Sequence, residues 1–347
     1  MSSRVGSLRR ASHSSSTASL RRSSISSRDI IHIQQALLTL SSLCLRWPFA
    51  LRALPPLFDP IAWKIVLVFL SVQLLLYEVL PRDRVAILNA GEVTYDETNA
   101  FSSCIILCLA YCLGASLNFY RPDIIAMHFP SIVSTLAVLA VSATAVLYLC
   151  YKFGETHSVD NLYEFFFGVE LEPRILDINI KHWIRSRVTM GMYALFVISA
   201  LYHHYNMYKT AHATVLLSTV AHLFHILCWQ WCDDVQLNGI DARSSNLGFA
   251  RLWSDLVLFP VLFTSPAAIV AMRRKQVSPV FAAFVVVLVA FSTVSLYVAA
   301  RERLRFRRLK GNVKIGGHDP YFIMAKYRAE NGDTMANLLL GMTFAML

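Results

Sequence analysis

Apolar residues in this chain arrive in long blocks, with the polar residues gathered between them. Seven blocks stand out: Ile61–Leu80, Ala100–Leu117, Phe129–Tyr151, Met190–Tyr205, His212–Trp229, Trp253–Met272 and Pro279–Ala300. A hydrocarbon core of ~30 Å is crossed by about 20 helical residues, so each block predicts a membrane-spanning helix. Ile30–Leu45 is apolar but shorter, and Arg46 and Arg52 follow it; it either spans or lies in the interface. The final stretch, Ala336–Leu347, is too short to span and reads as the beginning of another helix. The pattern predicts an all-α, polytopic transmembrane helix bundle of about eight spans plus a partial C-terminal helix.

Composition agrees with the pattern. Hydrophobic residues make up 56% of the 347 and charged residues 16%, against about 25% charged in soluble domains. Length therefore counts spans here, not globular domains. Residues 1–29 are the exception: Ser- and Arg-rich, almost without apolar content, and predicted to be a disordered tail. The remainder, 30–347, reads as one transmembrane domain. In the tail, Arg9-Arg10-Ala11-Ser12 and Arg21-Arg22-Ser23-Ser24 look like targets of kinases that prefer upstream Arg, and phosphates there would weaken binding to acidic partners.

Charge sets the orientation. The tail carries six Arg and one acid, Asp29, and Arg301–Lys310 reads RERLRFRRLK. Both should be cytoplasmic, which requires an even number of crossings between them and so makes Ile30–Leu45 the eighth. The loops at 81–99, 152–189, 231–252 and 301–334 then share the cytoplasmic side. Between the seven clear blocks, the external connections carry only Arg121, Lys209 and the Arg273-Arg274-Lys275 cluster, which violates the rule. The net charge of +10 speaks to orientation and anionic membrane lipid; no direct nucleic-acid partner is expected.

The candidate chemistry lies in those loops. Asn161–Arg187 holds Glu164, Glu170 and Glu172, a Pro173-Arg174 pair and a basic end of Lys181, Arg185 and Arg187, more than a passive connector needs. Asp233 and Asp234 fall at a helix end, while Asp255 lies about one turn inside an apolar run, where an acid is costly unless it has a role. Arg303 and Arg307 are four apart, share a helix face, and could grip a dinucleotide phosphate. No Gly-rich strand–turn–helix fingerprint accompanies them, so any nucleotide site is not of Rossmann type. The seven Cys have no zinc-type spacing. His203, His204, His212, His222 and His225 are too few for the histidine boxes of membrane di-iron oxygenases, and no metal site is expected.

Phe165–Ile175 reads FFFGVELEPRI and resembles the FFxGxELxPRI signature of the membrane sterol reductases, which include the sterol C14 and C7 double-bond reductases and the lamin B receptor. Lys181 and Arg187 fall where these proteins have a K…R stretch. Cys232–Phe249 is similar to their NEEAxLTTMDxxHxGFGF segment, keeping Asp241, Gly248 and Phe249, with Asp233 and Asp234 in place of the two Glu. Trp253–Pro260 resembles AFGDLVWVP and keeps Asp255, and Leu88–Gly91 looks like an LNG motif near the first helices. The resemblance covers roughly Ile61 to Lys310. It implies a multi-pass protein of the endoplasmic reticulum, or of the inner nuclear membrane. It implies NADPH-dependent reduction of a sterol double bond, of the C14 type first, by protonation and hydride delivery. Glu170, Asp233, Asp234, Asp241 and Asp255 would then be the catalytic acids.

Cofactor contacts are implied at Arg303 and Arg307, and at Arg328, Asn331 and Asp333, whose stretch looks like a shortened RHxNYxGD. Several family groups are replaced: a His–acid pair by Ser244-Ser245, and a Tyr and an Asp by His225 and Cys228. The RGANSQKNxFR cofactor segment shrinks to Ala300–Arg307, RPG becomes Arg187-Val188-Thr189, and the family's last helices and basic C-terminal segment have no counterpart. Since one electrostatic donor is worth about 10²–10³ in rate, these losses keep an alternative open: a catalytically impaired, lamin-B-receptor-like membrane scaffold whose Ser/Arg tail binds a protein partner.

Overall fold

The computed structural model describes residues 58–88, 93–154, 161–175, 178–239, 242, 245–274, 276–309, 314, 322–328 and 334–340. The side chains of 88, 93–94, 152–154, 161, 307, 322–328 and 334–340 are not among those described. The tail 1–29, the Ile30–Leu45 stretch, Asp241, Asn331 and Asp333 lie outside the described residues.

The architecture is an all-α, polytopic helix bundle, and the protein is a multi-pass membrane protein. Among the described residues, six helices are long and apolar enough to cross a membrane: α1 (Pro60–Val79), α4 (Phe129–Gly154), α6 (Ile180–Tyr208), α7 (Ala213–Trp231), α9 (Phe249–Ala271) and α10 (Pro279–Arg308). A seventh apolar helix, α2 (Ala100–Ser116), has 17 residues. All seven apolar blocks of the sequence are therefore helices. Short elements join them: α3 (Ile124–Met127), α5 (Asn161–Phe167), α8 (Asp233–Leu237) and the antiparallel pairs β1–β2 (Asp83–Leu88, Val93–Thr98), β3–β4 (Arg174–Ile175, Ile178–Asn179) and β5–β6 (Phe322–Arg328, Thr334–Leu340).

Local chemistry explains several boundaries. Asp59 caps α1 by accepting from the Ile61 N–H at 3.0 Å, with Pro60 in the first turn. Asn179 caps α6 by accepting from the His182 N–H at 3.2 Å. That cap starts α6 ten residues before the apolar block at Met190, so Lys181, Arg185 and Arg187 lie on the helix and not in a loop. The charged turn hid this start because the hydropathy of the segment falls there. α10 likewise runs through its basic end to Arg308. In its described part the expected partial C-terminal helix is a strand: Thr334–Leu340 is registered Phe322↔Leu340 to Arg328↔Thr334 against β5, and 341–347 lie outside the described residues. Short apolar runs do not separate helix from strand by pattern alone.

α6 is the central helix. Its best membrane window is 89% buried, against 6% for α10, whose apolar surface faces outward. Around α6, side chains of α1, α2, α4 and α9 form one core that includes Val66, Leu107, Ile132, Phe196 and Leu252. The Phe129 and Phe196 rings meet at 4.1 Å.

Both α6 and α9 contain a π-helical turn, Ile184–Thr189 and Ser254–Leu258. The second precedes Pro260, which has no N–H to give to the turn before it. Such turns are frequent at functional sites, and they free carbonyl groups that need new donors inside a bundle. The donors are supplied. Gln230 Nε2 reaches Ser186 O at 2.5 Å, Gln73 Nε2 reaches Arg187 O at 3.3 Å, and Thr189 Oγ1 reaches Asp255 O at 2.7 Å.

Candidate active site at the polar end of the bundle

The described parts of the loops predicted to share one side do meet at one end. The hub of the first contact is Asp96 on β2. It accepts from Asn179 Nδ2 at 3.0 Å, and Arg174 of the signature lies 3.6 Å from it. Asn238, just after α8, donates to Ala86 O on β1 at 3.0 Å.

The signature loop is locked to the segment before α9. Gly168 has φ +85°, a conformation that L side chains rarely adopt. A Cβ on Gly248 would stand 2.1 Å from Gly168 N, and one on Gly168 2.6 Å from Gly248 N, so both positions require glycine. Around this backbone contact, Leu247 N donates to Glu170 O at 3.1 Å, and Asn246 Nδ2 donates to Gly168 O and Val169 O at 3.1 and 3.0 Å. Lys181, buried, threads its ammonium between the two segments. It donates to Leu171 O (2.7 Å), Ala242 O (2.5 Å) and Ser245 O (3.0 Å), which uses all three of its hydrogens.

Beside the lock lies a buried polar cluster centred on Asp233, the first residue of α8. Asp233 Oδ2 accepts from His182 Nε2 at 3.0 Å and from the Thr98 hydroxyl. Its other oxygen, Oδ1, is buried and has no hydrogen-bond partner among the described residues. Arg187 closes the far side: Nη1 donates to Ser103 Oγ at 2.8 Å, the guanidinium lies 5.0 Å from the Tyr77 ring centre, and Nη2 is buried without a hydrogen-bond partner. Asp234, next in sequence, faces α10. Arg301 Nη1 meets its Oδ2 at 2.7 Å and Arg308 Nη2 approaches the same oxygen at 3.6 Å. This pair ties the basic end of α10 to the cluster. Arg303 donates from Nε to Ala299 O on its own helix at 3.2 Å, and Arg301 Nε is left buried without a partner.

Asp255 is handled differently. It lies in the π turn of α9, with Arg251 Nε 2.9 Å from Oδ2 and Arg185 Nη1 3.7 Å from Oδ1. Arg251 also donates to Ser245 Oγ at 3.3 Å. Two guanidinium groups thus hold one buried carboxylate.

A model of the ergosterol biosynthesis ERG4/ERG24 family matches residues 19–336. The chain belongs to that family. Among its curated relatives, the 7-dehydrocholesterol reductase of Arabidopsis thaliana is 25% identical over 81% of this chain and 67% of its own length. The 7-dehydrocholesterol reductase of Danio rerio is 22% identical over 80% and 62%. The Delta(14)-sterol reductase ERG24B of Gibberella zeae is 23% identical over 63% and 50%. The chain thus spans between half and two thirds of the length of these sterol reductases.

Within this sterol reductase family member, the predicted acids separate into distinct settings. Asp233 and Asp234 belong to the polar cluster, and Asp255 to the arginine clamp. Glu170 uses its backbone carbonyl in the lock and leaves its side chain exposed, at the rim of an open cleft. Leu147, Tyr148, Tyr151 and Phe165 give that cleft an apolar lining, and Glu164 faces it as well. Arg303 lies beside Arg301 on α10. Arg307 and Arg328 are placed on α10 and β5 by their backbones, their side chains outside the described residues. Two members of the cluster escaped the sequence reading, His182 and Thr98. His182 stands in a run of cations three residues after a helix-capping Asn, which was the available signal; Thr98 carried none.

Proposed function

We propose that this protein reduces a carbon–carbon double bond of a sterol with NADPH, in the membrane of the endoplasmic reticulum or the nuclear envelope. The observation that carries the reading is Asp233. It is a buried acid with one oxygen held by two donors and the other free, at the bundle end where the family signature docks. The cofactor's phosphates need cations, and the residues fit: Arg303, Arg305 and Arg308 stand at the end of α10, and Arg301 Nε is buried without a partner beside Asp234. Arg301, Arg303 and Arg308 would hold the dinucleotide; when bound it supplies the hydride.

The protein's own part is acid chemistry and exclusion of water. Asp233 Oδ1 gives its proton to one carbon of the double bond. The carboxylate left behind keeps the hydrogen bonds from His182 and Thr98, so the charge appears where donors already wait. Asp255 is less suited to this step, because guanidinium groups already stand at both of its oxygens. Lys181 and the Gly168–Gly248 contact hold the signature loop against the cluster. Relatives named for C7 and for C14 reduction both match the chain, so the position reduced is read from the product.

The test is turnover. Purified protein in detergent, supplied with NADPH and either a C14-unsaturated or a C7-unsaturated sterol, should yield the saturated product of one of them. Absence of product from both sterols, with NADPH at millimolar concentration, would overturn the reading.

A further inference from the structure

Asp233 comes with a partner that belongs to no sequence motif. His182 sits on the first turn of α6, where the Asn179 cap fixes its backbone. Its Nε2 lies 3.0 Å from Asp233 Oδ2, so Nε2 carries a hydrogen and donates it. Thr98, from β2, donates to the same oxygen. Two separate elements, α6 and β2, thus converge on one atom of α8, while Oδ1 of the same group, with the side chain 7% exposed, has no hydrogen-bond partner among the described residues. A buried ionised oxygen with no donor is costly. Oδ1 is therefore the oxygen left open to carry and give a proton, while Oδ2 is kept by His182 and Thr98.

We propose that His182, assisted by Thr98, is the positioning residue that makes Asp233 a competent acid toward carbon. This rests on the reductase reading for its substrate, a sterol double bond. In the step, the π electron pair of the double bond forms a C–H bond with the Asp233 Oδ1 proton. The O–H pair stays on the carboxylate, and the neighbouring sterol carbon becomes cationic; NADPH, when bound, would supply the hydride that this carbon needs. Asp233 is then reprotonated from water. The negative charge developing on the carboxylate meets the His182 N–H and the Thr98 O–H, donors set in place by folding. Arg187 lies within electrostatic reach of the same carboxylate and adds to the effect.

The experiment compares His182→Leu, His182→Gln and Thr98→Val in the full chain. Gln can place an N–H where Nε2 stands; Leu cannot. With sterol and NADPH, His182→Leu should lower kcat by about 10²–10³-fold, the worth of one such donor, with KM for both substrates unchanged. His182→Gln should recover most of that loss, and Thr98→Val should lower kcat in the same direction. Wild-type kcat in His182→Leu, or equal losses in Leu and Gln, would overturn the proposal. A second readout needs no turnover. The infrared carbonyl stretch of protonated Asp233, identified by its loss in Asp233→Asn, should move in His182→Leu and Thr98→Val and stay in His182→Gln. A band that ignores His182, or no such band at all, would also overturn it. Wild-type protein that reduces no sterol but shows the coupled band would instead sink the reductase reading and leave the pair standing.

Discussion

Asp255 is 1% exposed and Asp233 5%, so burial does not separate these two acids of the polar end. Their partners do. Asp255 has a guanidinium on each side and sits within the π turn of a spanning helix, its backbone carbonyl also taken by Thr189. Asp233 has a histidine and a hydroxyl on one oxygen and nothing on the other. The first arrangement occupies both oxygens with cations; the second leaves one oxygen open. A buried carboxylate in a membrane protein signals function by default, and the contrast shows that the default must be refined by which of its oxygens the neighbours already occupy.

The comparison can be broken by removing what keeps both sites in register. Gly248→Ala would force a Cβ to within 2.1 Å of Gly168 N, a clash between backbones that no rotamer relieves. The expected result is loss of the folded protein, read as collapse of the monodisperse peak in size-exclusion chromatography. Asp255→Asn should cost about 3–5 kcal/mol, because two buried cations lose their counter-charge, and thermal unfolding in detergent should show it. Lys181→Met removes three carbonyl contacts with one charged donor. Hydrogen bonds to charged groups are worth about 1.5–3 kcal/mol, so amide exchange in 168–172 and 245–248 should speed up while the core of α6 stays protected. Gln73→Leu strips the donor from Arg187 O in the π turn, an unsatisfied group costing about 1–3 kcal/mol, measured as a lowered midpoint with the sterol and cofactor KM unchanged.

A third buried aspartate calibrates the pair. Asp123, at the opposite end of the bundle, is pushed up by burial but held, on balance, below the usual carboxylate range by hydrogen bonds from Asn206 and Arg121 and by the charge of Arg121. A folded pKa below the unfolded one, about 3.9, stabilises the protein at higher pH, and that stability is lost as pH falls through the folded value. Asp123→Asn should flatten the acid limb of the stability–pH curve and leave neutral-pH stability lower than wild type.

Much of this was legible in the sequence. Each apolar block became a helix, because twenty apolar residues in lipid leave the backbone little other choice. The signature lies at the end of the bundle where the charged loops meet. What the sequence hid were things made by tertiary contact. The early start of α6 was masked by Lys181 and Arg187, whose charges are satisfied by distant carbonyls and by Ser103. Thr98 and His182 lie far apart in sequence and meet only on Asp233. Asp255 looked like the more unusual acid since it sits in an apolar run, yet its clamp depends on Arg185 from another helix.

The central claim is that Asp233 acts and Asp255 holds. Its most direct test measures kcat and thermal stability side by side in Asp233→Asn and Asp255→Asn. A crossed result is predicted: Asp233→Asn keeps its unfolding temperature and loses about 10²–10⁴-fold in kcat, the range for a general acid, while Asp255→Asn unfolds earlier but turns over sterol normally below its transition. Normal turnover in Asp233→Asn, or its loss in fully folded Asp255→Asn, would contradict the account.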